Sequence, residues 1–282
     1  MKFNYFNVDK RLVNEDINTL FPDFGKEEVL AVMSPHDDDA IIGAGYAMLA
    51  AKEAGADVYV VIYCRGDAGY STVEEKDTIE KVRVEETYAC YERMGIDRDH
   101  IIRLNFADFS AIGYYGWALP DGTPGEMQKM LRFLRDKKVT RVMIPNHYHE
   151  HIDHLAAHIM SSYDAPQAGD CALVDHGTPH AVKSTLEYSV WADLDPEDAL
   201  VNSRPSNIRA NRILSVSSDV EGKIADAISA YASQQEIIKG LIDSRKERMT
   251  ANGNFIEIYI SFDCRPKLDF SPYIEWVEEM TR

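Results

Sequence analysis

The sequence predicts an α/β fold built on a mostly parallel sheet, and three observations carry that reading. Short β-rich apolar runs alternate with amphipathic stretches through the first half of the chain. Several runs, such as Val-Tyr-Val-Val-Ile-Tyr at 58–63, are apolar at consecutive positions, as in strands covered on both faces. The most polar segments directly follow such runs, where parallel sheets carry their chemistry.

In order, residues 29–33 read as a strand and 41–54 as a helix that Gly55 can end. Residues 58–63 form the next strand, followed by the Gly-rich loop 65–69. A long charged helix is expected over 73–94 with Gly95 at its end, then a strand at 100–105. A helix at 125–137, a strand at 140–145 and a helix starting near Asp153 follow. Strand–helix–strand units at this spacing imply parallel pairs with right-handed crossovers. The polar segments after Met33, Tyr63, Asn105 and Pro145 should therefore share one sheet edge. In the less regular second half, 186–191, 213–217 and 255–262 read as strands. Residues 221–240 read as one helix, with Ile224, Ala227, Ile228, Tyr231 and Ala232 on one stripe. Residues 164–179, rich in Gly, Pro and Asp, read as a long loop. No repeat, low-complexity tract or linker divides the chain, so 1–282 is read as one domain.

Composition narrows the function. Acidic residues number 47 against 30 basic, for a net charge of −17, which repels phosphate backbones and anionic lipid. A nucleic-acid or membrane-surface role is disfavoured. The longest nearly apolar run, 40–51, is interrupted by Gly43 and Gly45 and is too short to span a bilayer. Residues 1–20 lack the apolar core of a secretory signal. Cys64, Cys90, Cys171 and Cys264 are too far apart for a C-x-x-C pair, and too few for a disulfide scaffold. A soluble, cytoplasmic protein is the expectation.

Two polar segments carry chemistry. The first, Pro35-His36-Asp37-Asp38-Asp39, lies between a strand and a helix. Three adjacent carboxylates repel one another, and a divalent cation or the helix N-terminus would offset that; the plainer alternative is one Asp capping the helix and the others solvated. The second runs from His147 to His158 and holds five of the nine histidines, directly after the fourth strand. Histidine is the commonest metal ligand. Together the segments can supply two His and one Asp, the three-ligand pattern of catalytic zinc, with a spare carboxylate as general base. Other motifs fail. Asp153 stands where H-E-x-x-H needs its second His after His149-Glu150, and Gly43-Ala-Gly-Tyr-Ala-Met48 lacks the third glycine of a dinucleotide fingerprint. Neither G-x-x-x-x-G-K-[ST] nor G-x-S-x-G occurs.

A strand, His-x-Asp-Asp, a helix, and then His-x-Asp-His after a later strand resemble the PIG-L/LmbE-like family of zinc-dependent deacetylases, which remove acetyl from N-acetylglucosaminyl and related amino-sugar substrates. The family's A-H-P-D-D-E reads here Pro35-His36-Asp37-Asp38-Asp39-Ala40. Arg83-x-x-Glu86 with Cys90, Met94 and Gly95 resembles a second signature, and Lys223 to Gln234 with Tyr231-Ala-Ser-Gln234 a third. The resemblance runs from about 29 to 235 and implies a three-layer Rossmann-like fold. It makes His36, Asp39 and His154 the ligands of Zn²⁺ or another divalent metal. It makes Asp38 the general base, and His151 the group that stabilises the oxyanion or protonates the leaving amine. Asp153 would orient a histidine from behind and Arg83 would contact substrate oxygens, unless Arg83 only pairs with Glu80 or Glu86 on its own helix. Asp37 for Pro, Ala40 for Glu, and His149 where an aromatic often stands are departures that bear on substrate rather than reaction. The implied partner is a small amino sugar or glycoconjugate; a homo-oligomer is compatible with the sequence. Two other readings stay open: a Mg²⁺/Mn²⁺ phosphohydrolase using the Asp cluster, and a non-catalytic sugar-binding protein. Trp117 in the 113–117 loop is a candidate sugar-stacking residue, while most of the aromatics read as core or ordinary surface.

Overall fold

The computed structural model describes residues 1–282 apart from the side chain of Glu236. Its strands are β1 (Phe3–Asn7), β2 (Leu12–Asn14), β3 (Val29–Ser34), β4 (Asp57–Cys64), β5 (Ile101–Phe106), β6 (Arg141–Pro145), β7 (Ser184–Tyr188), β8 (Arg212–Val216) and β9 (Phe255–Phe262). Its helices are α1 (Asp39–Glu53), α2 (Ile79–Arg93), α3 (Glu126–Asp136), α4 (Ile152–Gln167), α5 (Pro196–Val201), α6 (Ser218–Ile228), α7 (Gln235–Arg245) and α8 (Ser271–Met280). Among these helices none is long and apolar enough to cross a membrane.

Consecutive apolar residues in β3 serve two cores at once. Leu30 and Val32 face one core with α1 and α6, while Ala31 and Met33 face the other with α3 and α4. Alternation of side chains across a strand makes this the natural outcome of an unbroken apolar run. The result is three layers around one nine-stranded sheet, ordered β2-β1-β8-β9-β7-β6-β3-β4-β5. Strands β5, β4, β3, β6 and β7 pair in parallel, as expected. Beyond β7 the pairings β7–β9, β9–β8, β8–β1 and β1–β2 are all antiparallel.

The strand order reverses between β3 and β6. From β3 the chain winds outward through β4 to β5, then returns to the other side for β6 and β7. At such a switch point the loops leaving the two central strands part, and a crevice opens at their carboxyl ends. The two polar segments are those loops.

Four boundaries differ from the sequence reading. Residues 73–94 are not one helix: Val73–Glu75 is a separate turn boxed by Thr72 and Glu75, and α2 starts at Ile79. Residues 221–240 break after Ile228, where Tyr231 turns inward to donate to the Asp37 carbonyl (2.6 Å). The expected loop at 164–179 begins late, because α4 runs on through buried Asp164 and Ala165 to Gln167. The strand expected at 186–191 ends at Tyr188, since the backbone N–H groups of Val190, Trp191 and Ala192 all turn to the Glu150 carboxylate (2.7–2.9 Å). Strands β1 and β2 and helix α8 were not expected from the sequence.

Candidate metal centre and catalytic site

His36 and Asp39 leave β3 within one turn. The Asp39 carboxylate accepts from the His36 backbone N–H (2.8 Å) and faces His36 Nδ1 at 3.0 Å. Across the crevice, α4 brings His154 Nε2 to 3.1 Å from the same Asp39 oxygen. Two imidazole nitrogens thus converge on one carboxylate oxygen, and the structure groups His36, Asp39 and His154 as a candidate metal-holding set.

Each histidine is also held from behind. His36 Nε2 lies 3.2 Å from Asp153 and His154 Nδ1 lies 2.9 Å from Glu150. A carboxylate on the far nitrogen fixes the ring and leaves the near nitrogen with a lone pair, the usual support of metal-bound histidine. His154 Nε2 is fully buried and has no hydrogen-bond partner. A cation between it, His36 and Asp39 would satisfy it. The local charge points the same way: the carboxylates of Asp37, Asp38, Asp39, Glu150 and Asp153 face only Arg83 and Arg103 as fixed cations. Without a metal, the imidazoles take up the balance. Burial opposes their charged forms, yet the facing carboxylates hold His36 well above its ordinary value and raise His154 to about 9. Asp39, although buried, is held well below its ordinary value by His154 and His36.

Asp38 sits at the N-cap of α1, but its side chain makes no capping bond. Helix capping therefore does not explain it. Its carboxylate instead takes Arg83 Nη2 at 3.2 Å, and burial pushes it above its ordinary value despite that arginine. Arg83 does not pair with Glu80 or Glu86. It spans Asp37 (3.2 Å) and Asp38, its ring-side face lies over Tyr231, and its Nη1 has no partner. Glu86 is taken by the backbone and hydroxyl of Ser233, each at 2.7 Å. The second and third sequence signatures thus meet each other beneath the first.

Asp37 is fully buried among Arg83, Arg103 and Thr87. Gly66, with φ of +80°, passes so close that an added Cβ would lie 2.8 Å from the Asp37 carboxylate. Gly43 has no part in dinucleotide binding; a Cβ there would collide with Tyr188 and the Ser189 carbonyl, so it lets α1 lie against the end of β7.

His151 caps α4, its Nδ1 accepting from the Asp153 N–H (3.2 Å). Asp153 turns its own carboxylate to His36 and to the N–H groups of Phe109 and Ala111. Asp153 therefore does not hold His151 as imidazolium: burial and the nearby His36 lower the His151 pKa. His151 lines a pocket of about 480 Å³ formed by the 147–152 loop and Leu155. Its ring is 4.8 Å from that of exposed Phe109, and exposed Trp191 lies 5.4 Å from His154. Trp117 packs on His176 instead.

Sequence reasoning missed Glu150, Arg103, Phe109 and Trp191. Glu150 had one signal, its position four residues before His154; it stands just ahead of the His151 N-cap of α4 and its carboxylate reaches the His154 ring. Phe109 and Trp191 reach the site from the loops after β5 and β7, and Arg103 from within β5.

Fold and site together define an α/β protein with a histidine–carboxylate centre at the switch point of its parallel sheet. Residues 31–162 match the PIG-L family model, described as GlcNAc-PI de-N-acetylase. No curated protein sequence matches it significantly. Among solved structures it is similar to N,N'-diacetylchitobiose deacetylase from Pyrococcus horikoshii, with a TM-score of 0.64, 16% identity, and 88% of each chain covered. It is similar to GalB, the 4-carboxy-2-hydroxymuconate hydratase from Pseudomonas putida, with a TM-score of 0.63 and 17% identity over 86% of this chain and 98% of that one. A zinc-inhibited form of teicoplanin deacetylase gives a TM-score of 0.55 and 17% identity over 83% and 99%. These likenesses establish the fold. A hydratase among them shows that the fold alone does not choose the reaction.

Proposed function

We propose that this protein is a metal-dependent N-deacetylase acting on an N-acetylated amino sugar or glycoconjugate. The observation that supports it most is the convergence of His36 Nδ1 and His154 Nε2 on Asp39, each ring backed by a buried carboxylate, with uncapped Asp38 alongside. Two nitrogens and one oxygen suit zinc better than Mg²⁺ or Mn²⁺, which prefer all-oxygen sites. When bound, such an ion supplies a Lewis acid and makes a neighbouring water acidic.

The chain's own residues do the rest. Asp38 accepts the proton of the attacking water at its carboxylate, and Arg83 orients that carboxylate from one side. His151, its Nδ1 occupied by the Asp153 N–H, keeps Nε2 for proton exchange toward the pocket. There it polarises the acyl oxygen or passes a proton to the departing amine. Arg83, buried against Asp37 and Asp38, is the cation nearest to the substrate side of the centre. Phe109 and Trp191 offer apolar faces on which a sugar ring can lie. The experiment is to measure metal content and acetate release for His36→Ala, Asp39→Ala and His154→Ala. We expect all three to lose metal and deacetylation together. Full metal occupancy in all three would refute the ligand assignment, and turnover of phosphate esters instead of N-acetyl sugars would refute the reaction.

A further inference from the structure

The histidine segment contains more ligating side chains than this centre uses. His147 and His158 lie with ring centroids 4.4 Å apart, and Nδ1 of each is 3.5 Å from the same oxygen of Glu187. One donor atom from each of the three lies within 4.8 Å of the others. They come from three elements: the loop after β6, the second turn of α4, and β7.

Glu187 is the anomaly. It is 4% exposed, in a register between Ile144 of β6 and Ile260 of β9. One of its carboxylate oxygens, Oε1, is buried with no hydrogen-bond partner. A buried carboxylate without full partners is costly and calls for a compensating cation. His147 Nδ1, which faces it, is also buried and unpartnered. The other His147 nitrogen, Nε2, lies 3.4 Å from Asp195, and His158 Nδ1 donates to the Pro145 carbonyl at 2.9 Å. His147 is thus anchored through Nε2 and turns Nδ1 to Glu187, whereas His158 donates through Nδ1 and keeps its lone pair on Nε2 as the nitrogen left to ligate.

We propose that His147, His158 and Glu187 form a second site for a divalent metal of zinc type, with Asp195 orienting His147. The site shares no ligand with the His36–Asp39–His154 centre. His158 follows His154 by one turn of α4, about 6 Å along the axis, so the two sites are neighbours on one helical face. The pocket of about 480 Å³, whose wall includes His147, gives an ion its route in. An ion there would tie the 146–151 loop to β7. That loop carries Glu150 and His151, so the second site would hold the first in shape rather than perform chemistry.

The test is zinc stoichiometry by mass spectrometry on full-length protein, stripped, reloaded and desalted, with far-UV circular dichroism confirming the fold of each variant. Cobalt substitution gives an independent optical readout. Wild type should retain two zinc ions per chain, and Asp39→Ala one. His147→Gln, at a half-exposed position, should retain one, as should Glu187→Gln; the double variant Asp39→Ala/His147→Gln should retain none. Loss of all zinc in Asp39→Ala would overturn the second site. So would two ions per chain in both His147→Gln and Glu187→Gln. One ion in wild type that survives Asp39→Ala but not His147→Gln would support the second site and overturn the first.

Discussion

Asp37 occupies the place of a proline in the related motif, and its carboxylate is consumed by Arg83, Arg103 and Thr87. That leaves Asp38 as the carboxylate beside the centre without a capping duty. The proline-to-aspartate departure is thus matched by Arg103, which the sequence offered no way to connect with position 37. Glu150 is the other residue that only the fold reveals. It holds His154 at 2.9 Å and gathers three backbone N–H groups of the 190–192 segment. Glu150→Gln should keep those backbone bonds but weaken the hold on the ring. We expect a roughly 10–100-fold loss of zinc affinity, as for other groups that support metal-bound histidine. Competition with a chromophoric chelator measures it, and unchanged affinity would mean that Glu150 serves only the loop. The proposed ligands were legible because His36 and Asp39 sit together directly after one strand and His154 sits in the His-rich segment that follows another. Their supports were legible only in part: Asp153 was named, but its pairing with His36 spans 117 positions, and Glu150, four residues before His154, was not singled out.

At the scale of elements, α3 and α4 pack through an unusual contact. The carboxyls of Glu126 and Asp164 are both buried and face each other, and neither Glu126 oxygen has another partner. Burial raises both, with the Asp164 carboxylate adding to the rise of Glu126; Asp164 reaches about 6. The folded chain therefore keeps protons that the unfolded chain releases near pH 4. The pair's contribution is fully present below pH 4 and is lost as pH rises from there through the folded values, the Asp164 share by about pH 6. An amide at 126 would donate permanently to Asp164. Glu126→Gln should thus stabilise the protein above pH 7 by roughly 1–3 kcal/mol, with the gain shrinking toward pH 4. Thermal unfolding of both proteins across pH 4–8 checks this; a gain independent of pH would show that the pair does not share a proton. The same contact explains why the expected loop at 164 is helix. Pro166 and Gly169 signal a break, but burial of Asp164 and Ala165 against α3 carries α4 past it.

For the whole molecule, the parallel half of the sheet was readable because its strands are continuous apolar runs separated by helices. In the antiparallel half β8 and β9 were readable as strands, but β1, β2 and the way they pair were not. Strand β1 is five residues, two of them Asn, and it is a strand because Phe3 to Asn7 pair with Val216 to Arg212 across the length of the chain. Yet that half adds little to the site. The crevice depends on the reversal of strand order at β3 and β6, which sets the His36 and His154 loops face to face. A hydratase shares this fold, so the architecture does not choose the reaction, and the proposal rests on Asp38 and the histidines. The most direct measurement is acetate release from N-acetylglucosamine conjugates by zinc-loaded wild type and Asp38→Asn, with zinc counted on the same samples. Wild type should release one acetate per free amine formed, and Asp38→Asn should keep its zinc while turnover falls roughly 10²–10⁴-fold. Zinc-replete wild type that releases no acetate, or Asp38→Asn that turns over normally, would contradict it.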